Sequence, residues 1–443
     1  MKEVVCKYGI LRGVEEGDSI VYKGIPYAKP PVGALRFCPP QEAEPWEGVR
    51  LADAFPNRSY MPVSDGTGFY DREFYSDPRY ETPCSEDCLY LNIWQPKMQR
   101  EHLLPVAFWI HGGGFDHGCG HEMEFDGQAY NQRGVLLVTI NYRVGALGFL
   151  AHPWLAGENE DGVSGNYGLM DQIFALKWVR ENIEAFGGDP ENITVFGQSA
   201  GSISTQILTA SPLTRSWIAK AILQSGLSYH NGVLSHLPRR EAEKIGEEYV
   251  QFCGITSVEE LRQADPRMLL RKQVAFGRLH PEYGLCFSPN ADGVLLEDPL
   301  ETVTENGRIK DIPYMIGSTK DDLWVTDGMR SQGRKGPLYE SIEAWSKCLA
   351  AQGRKPPYVY YFTRALPGDS AGAFHSSELW YMFGTLPRCW RPMQREDAVL
   401  SGEMLDAWTD FMKYGDPGKS WKPYDHVQVF DLPGEKKTAS RGG

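Results

Sequence analysis

The chain has 443 residues, 42% of them apolar and 12% aromatic. That is enough for a large core and more than most single domains carry, although large α/β chains often fold as one unit. Its 45 basic and 58 acidic residues give a formal charge of −13, which argues against a nucleic-acid or anionic-membrane partner.

No stretch approaches the roughly 20 uninterrupted apolar residues that span a bilayer. The opening Met1-Lys2-Glu3-Val4-Val5-Cys6-Lys7 lacks the apolar core of a secretion signal. In chain order, a short β-type segment at Ser19 to Tyr22 precedes a Pro/Gly-rich block, Gly24 to Gly33, expected to be an ordered loop. Residues 54 to 87 are polar, aromatic and turn-rich, and are expected to form a long surface loop lining a binding site. Leu89 to Trp94, Val106 to Ile110 and Val135 to Ile140 are short apolar runs rich in β-branched residues, as central strands buried on both faces require. Gly168 to Phe186 carries apolar residues at helical spacing and is closed by Gly187-Gly188 and Asp189-Pro190. Further strands are predicted at Ile193 to Phe196, Ile218 to Leu223, Pro313 to Ile316 and Tyr358 to Phe362, with a helix from Ala398 to Tyr414. Alternating strands and helices predict an α/β fold with a mostly parallel sheet covered on both faces.

The residues that carry chemistry cluster at strand ends. Ile193-Thr-Val-Phe-Gly-Gln-Ser199-Ala200-Gly201 reads as a strand, a one-residue corner and a helix, which projects the Ser199 hydroxyl and tolerates only small neighbours. A serine nucleophile needs a base and preorganised donors for the oxyanion it creates. His111-Gly112-Gly113-Gly114-Phe115 follows a buried strand, and consecutive glycines let backbone N–H groups approach a substrate oxygen. The expected donors are those of Gly113, Gly114 and Ala200. Sites with this corner run Ser, Asp/Glu, His along the chain. Of the histidines after Ser199, His375 alone sits in a compact loop between a predicted strand and a helical run, Ser377 to Phe383. Asp321 and Asp322 both follow the strand Pro313 to Ile316 and are both candidates for the acid. Asp292, in Ala-Asp-Gly, reads as a turn residue, and Glu378 as helix N-terminal charge or a supporting group.

These motifs, with Gly24-Ile25-Pro26-Tyr27-Ala28, Leu35-Arg36-Phe37, Ser85-Glu86-Asp87-Cys88-Leu89, Asn141-Tyr142-Arg143-Val144-Gly145, Asn166-Tyr167-Gly168-Leu169, Asp171-Gln172 and Gln224-Ser225-Gly226, resemble the type-B carboxylesterase family, which includes the cholinesterases, in a bacterial-type cytosolic form. The resemblance runs nearly end to end. It implies an α/β-hydrolase fold, Ser199 as nucleophile, His375 as general base, and the family's carboxylate at Asp322. It also implies structural ion pairs Arg36–Glu86 and Arg143–Asp171. The family's usual acid is Glu, so Asp322 is one methylene shorter, and Gln198 stands where Glu is common. The stretch from Asp322 to His375 is short for the family, which implies a reduced helical cap. The upstream cysteine that secreted members pair with the one matching Cys88 is absent. No tryptophan lies between Trp46 and Trp94, where cholinesterases hold a quaternary ammonium, so choline-ester specificity is not expected.

The expected protein is therefore one α/β-hydrolase domain over 1–443, with cap-like insertions at about 229–310 and 325–355. It is a serine carboxylesterase acting on a small-molecule ester, with no cofactor, metal, nucleic-acid or membrane partner. Acyl and alcohol pockets are expected from loops 54 to 87, 115 to 130 and 229 to 310. Nine scattered cysteines suit a reducing cytoplasm. The residues admit two other classes: a non-catalytic adhesion-type member of the family, and a metal-dependent hydrolase using Asp116, His117, Cys119 and His121.

Overall fold

Leu104–Ile110 lies at the centre of the molecule because both of its faces are apolar. Val106, Phe108 and Ile110 enter one core cluster, and Ala107 and Trp109 enter another, the period-two alternation of a strand covered on both sides. The coordinates are a computed structural model, and residues 2–62, 66–98, 101–230, 236–418, 421–424 and 426–432 are described.

Among these residues a 12-stranded sheet forms. Its strands are β1 (Glu3–Cys6), β2 (Gly9–Glu16), β3 (Ser19–Pro26), β4 (Val49–Ala52), β5 (Tyr90–Pro96), β6 (Leu104–Ile110), β7 (Leu136–Ile140), β8 (Gly188–Gln198), β9 (Lys220–Gln224), β12 (Tyr314–Thr319), β13 (Tyr358–Phe362) and β14 (Val427–Phe430). Two short strands, β10 (Leu237–Pro238) and β11 (Asn290–Ala291), pair separately. The order is β1-β2-β3-β5-β7-β6-β8-β9-β12-β13-β14, with β4 beside β2. From β7 to β14 neighbouring strands are parallel, and β1, β2, β3 and β5 add an antiparallel edge. This is the mostly parallel sheet that the alternating pattern predicted.

Helices cover both faces. Tyr167–Asn182 runs into a 3-10 turn, Ile183–Phe186, that ends at Gly187 with φ 83°. Leu176, Val179 and Ile183 join the first core cluster. Arg395–Tyr414 packs Leu400, Met404, Trp408 and Phe411 into the second. Its first turn is capped by Asp397 Oδ2, which accepts the Gln394 N–H at 2.8 Å. Pro337–Ala351 carries Trp345, fully buried edge-on against Tyr314 of β12.

The expected ion pairs stitch loops to this frame. Arg143 meets both Asp171 oxygens at 2.8 and 2.7 Å. Arg36 meets both Glu86 oxygens at 2.6 Å and also donates to the Arg262 and Ala264 carbonyls. Removing one partner of such a buried pair costs about 3–5 kcal/mol.

Three expectations needed correction. Gly24-Ile25-Pro26 is not loop but the end of β3, continuing after an irregularity between Tyr22 and Ile25. Gly24 turns there with φ 69°, and Pro26 ends the run. The segment 54 to 87 is not all loop: it includes the helix Phe69–Phe74 and a 3-10 turn, Pro78–Tyr80, while Val63 to Asp65 lie outside the described residues. The helical run expected at Ser377 to Phe383 is shorter, Leu379–Met382. No described helix is long and apolar enough to cross a membrane.

Candidate active site

Strand β8 stops at Gln198, and the helix Ala200–Ala210 begins one residue later. The residue between them, Ser199, has φ 56° and ψ −125°, a backbone conformation that costs a side-chain-bearing residue of order 1–3 kcal/mol. The surroundings hold it there. Ser199 N–H donates to the Gln224 carbonyl at 2.8 Å, and Ile203 N–H donates to the Ser199 carbonyl at 3.1 Å. The approach of helix to strand is so close that a Cβ on Gly201 would lie 2.0 Å from the Ile110 carbonyl oxygen. Ser199 is half-buried and faces a cavity of about 500 Å³.

His375 lines the same cavity. Its Nδ1 lies 2.5 Å from Asp322 Oδ1. The second oxygen, Oδ2, accepts from Ser225 Oγ at 2.7 Å and from Thr319 N–H at 3.1 Å, and Leu323 N–H donates to Oδ1 at 2.9 Å. Burial pushes the Asp322 carboxyl up, but the charge and hydrogen bond of His375, with the Ser225 and Leu323 donors, outweigh it and hold it below the usual carboxylate value. Asp321 does different work. Its Oδ2 accepts from Ala373 N–H at 2.9 Å and its Oδ1 from Arg330 at 2.9 Å, and its own N–H donates to the Ala373 carbonyl. Asp321 thus ties down the loop that presents the imidazole, while Asp322 meets the ring. Of the two acids the sequence left open, only Asp322 reaches His375. From the far side, Tyr70 Oη donates to the His375 carbonyl at 3.3 Å.

The Ser199 hydroxyl makes no hydrogen bond among the described residues. The amide Nε2 of Gln198 instead lies 3.1 Å from His375 Nε2. Such contacts commonly rearrange when a substrate is bound.

Three backbone donors stand free beside the serine. The N–H groups of Gly113, Gly114 and Ala200 have no acceptor among the described residues, and all three residues line the cavity. Gly113 has φ 100°, and a Cβ there would fall 2.2 Å from the His117 carbonyl oxygen, so the turn excludes any larger residue. His111 is fully buried, stacked on Tyr142 with ring centroids 4.2 Å apart. Burial lowers its pKa to about 3, so it is a neutral prop for the glycine turn, and Tyr142 Oη donates to its carbonyl at 3.0 Å.

The residues weighed as metal ligands do not converge. His121 pairs Nε2 with Thr82 Oγ1 at 3.0 Å and stacks on Phe55, and His117 turns to Asp116. Among the described residues no three His, Cys, Asp or Glu side chains could share a metal ion.

The cavity wall draws on all three expected loops: Tyr70, Phe74 and Tyr75 from the first, Glu122, Glu124 and Phe125 from the second, and Leu285 from the third. Phe69, from the same loop, packs edge-on against Phe374. Leu285, Leu323 and Trp324 are 43%, 37% and 43% exposed and form an apolar rim. Three side chains at the site are not singled out by the sequence. Ser225 stands in the sequence only as part of Gln224-Ser225-Gly226, where its place at a strand end is the one signal of a supporting hydroxyl. Glu122 and Glu124 gave no sequence signal. Glu378, expected to be helix N-terminal charge or a supporting group, is fully buried, and burial followed by the neighbouring Asp322 charge raises its pKa to about 7.

Comparison with known proteins identifies the family. The sequence model of the carboxylesterase family matches residues 1–336 and 335–441. The chain is 33% identical to the fumonisin B1 esterase of Sphingopyxis macrogoltabida over 97% of its own length and 85% of that protein. It is 33% identical to the para-nitrobenzyl esterase of Bacillus subtilis strain 168, over 95% and 92%. A solved PNB esterase structure superposes with a TM-score of 0.84 at 30% identity, covering 97% of this chain and 96% of that one.

Proposed function

The chain belongs to the carboxylesterase family and is a carboxylic ester hydrolase with the α/β-hydrolase fold; from that premise we propose that it works through an acyl-enzyme on Ser199, with His375 as general base and then acid and Asp322 as its carboxylate. In this reading His375 Nε2 takes the Ser199 proton as Oγ attacks the ester carbonyl, and returns it to the departing alcohol. The same nitrogen then activates the water that releases the acid. Asp322 fixes the tautomer and stabilises the imidazolium. The N–H groups of Gly113, Gly114 and Ala200 receive the oxyanion, and each such donor is worth roughly 10²–10³ in kcat.

The observation that carries the reading is the 2.5 Å contact of His375 Nδ1 with a buried Asp322 whose other oxygen is held by Ser225. That turns Nε2 towards the cavity that Ser199 enters, where the neutral Gln198 amide now meets it. A binding-only protein has no need of this preorganised carboxylate, and the glycine turn with unpaired donors supports chemistry over adhesion.

The substrates of this family are small-molecule esters. The reading of the chain as one domain over 1–443, with insertions at about 229–310 and 325–355, goes with it. A cytoplasmic location is supported by nine cysteines that are all unpaired. The direct test is Ser199→Ala: p-nitrophenyl acetate hydrolysis should fall by about 10⁶-fold in kcat with the circular-dichroism spectrum unchanged. A variant retaining a tenth of the activity would overturn the assignment.

A further inference from the structure

A general base carried on a loop must be held at its backbone as well as at its ring. Asp322 holds the His375 ring, and Asp321 holds the loop just before it through the Ala373 N–H. The peptide just after the histidine is the one under strain. Ser376 has φ 79°, a left-handed conformation that a residue with a side chain keeps only where its surroundings enforce it. The carbonyl of that peptide belongs to His375. It accepts from Tyr70 Oη at 3.3 Å, and no other donor reaches it among the described residues.

Tyr70 comes from the helix Phe69–Phe74, which grips the histidine loop with two faces. Residues four apart share a face of a helix. Phe69 and Glu73 form the first. Phe69 lies edge-on to Phe374 with ring centroids 4.9 Å apart, and Glu73 takes the Arg391 guanidinium at 2.8 and 3.0 Å. The Arg391 and Glu73 side chains are both fully buried. Arg391 reaches on to Asp369 at 2.8 Å, in the loop that runs from β13 to His375. Tyr70 and Phe74 form the second face. Their rings stack 6.0 Å apart, Phe74 stacks on Trp380 at 5.5 Å, and both residues line the cavity. The helix is thus fastened to the segments before and after His375, and Tyr70 reaches the peptide between them.

We infer that Tyr70 is a positioning residue for the general base. The inference rests on Ser199 and His375 acting as proposed. The Tyr70 hydroxyl fixes the strained His375–Ser376 peptide, so the imidazole turns from Gln198 to Ser199 about a held backbone while Nδ1 stays on Asp322. Without the hydroxyl, the carbonyl of a buried residue loses its donor. The peptide can then rotate out of its left-handed conformation and carry the ring away from Ser199. At 3.3 Å the contact is long for a hydroxyl and a carbonyl. Catalytic hydrogen bonds tighten in the Michaelis complex, and Tyr70 stands in the wall that the substrate meets.

The test is Tyr70→Phe, which keeps the ring, its stacking and the Glu73–Arg391 pair and removes only the hydroxyl. With p-nitrophenyl acetate, kcat should fall about three- to tenfold, the worth of one neutral hydrogen bond, with KM within about twofold of native. Acylation and deacylation both use His375, so they slow together and KM stays. Phosphorylation of Ser199 by diethyl p-nitrophenyl phosphate uses the same base and should slow by the same factor. A native kcat in Tyr70→Phe would overturn the assignment. So would a loss of kcat joined by a lowered Tm or a raised KM, which would make the hydroxyl a support of the fold or of substrate binding. The two readings fail separately. If His375→Ala keeps native activity, the proposed base is wrong and Tyr70 has nothing to position. If His375→Ala is inactive and Tyr70→Phe is native, only the Tyr70 assignment falls.

Discussion

Gln198 Nε2 lies 3.1 Å from His375 Nε2, the ring nitrogen opposite the one that Asp322 holds. The residue next to the nucleophile thus occupies the position from which the imidazole must take the serine proton. A neutral amide there can yield to the hydroxyl when substrate arrives, whereas a carboxylate would hold a proton on the ring.

Gln198→Glu should therefore move the acid limb of the kcat/KM profile to higher pH. An anion beside the imidazole favours its charged form, so more base is needed to free it. The check is p-nitrophenyl acetate hydrolysis between pH 5 and 9. An unmoved limb would show that Gln198 does not face the working nitrogen.

The two adjacent acids should separate cleanly. Asp322→Asn leaves the wrong tautomer facing Ser199 and should lower kcat roughly 10⁴-fold. Asp321→Asn loosens the loop through Ala373 and Arg330 and should cost far less activity, with a lowered Tm. Steady-state kinetics of both variants decide; the reverse order would transfer the role to Asp321.

Glu378 makes stability depend on pH. Its pKa is raised from the ordinary 4.5 to about 7, so the folded chain holds a proton that the unfolded chain has lost between these values. Stability from this group is thus fully present below about pH 4.5 and declines as pH rises to 7, by about 3 kcal/mol in total. Asp322, shifted the other way, acts only below that window. Urea unfolding at pH 5 and pH 8 should show this loss in the native protein and a smaller one in Glu378→Gln. Parallel pH curves for the two proteins would contradict the burial of an uncharged Glu378.

Much of this was legible in the sequence because it depends on local constraints. A strand that turns into a helix across one residue needs Gly197 and Gly201, and these mark Ser199 without any tertiary information. The glycine turn at Gly113 is visible for the same reason. The apolar runs at 106–110 and 358–362 fixed central strands, since burial on both faces leaves no polar position. What stayed hidden depends on which side chains meet across long separations. Asp321 and Asp322 differ by one residue, and strand pairing decides which one faces the loop at 375. Gly24 to Pro26 looked like loop because glycine and proline are rare inside strands; they are tolerated here past the irregularity, where β3 pairs with β5 but no longer with β2. Glu122 and Glu124 look like solvated charges in the sequence, and only the packing of Tyr75 and Phe125 shows them buried without a cation.

The central claim, an acyl-enzyme on Ser199, is tested most directly by trapping it. Incubation with diethyl p-nitrophenyl phosphate followed by peptide mass spectrometry should find one phosphoryl adduct, on the peptide carrying Ser199, with activity lost in proportion to labelling. Full inactivation with Ser199 unmodified, or continued hydrolysis by fully labelled protein, would contradict it.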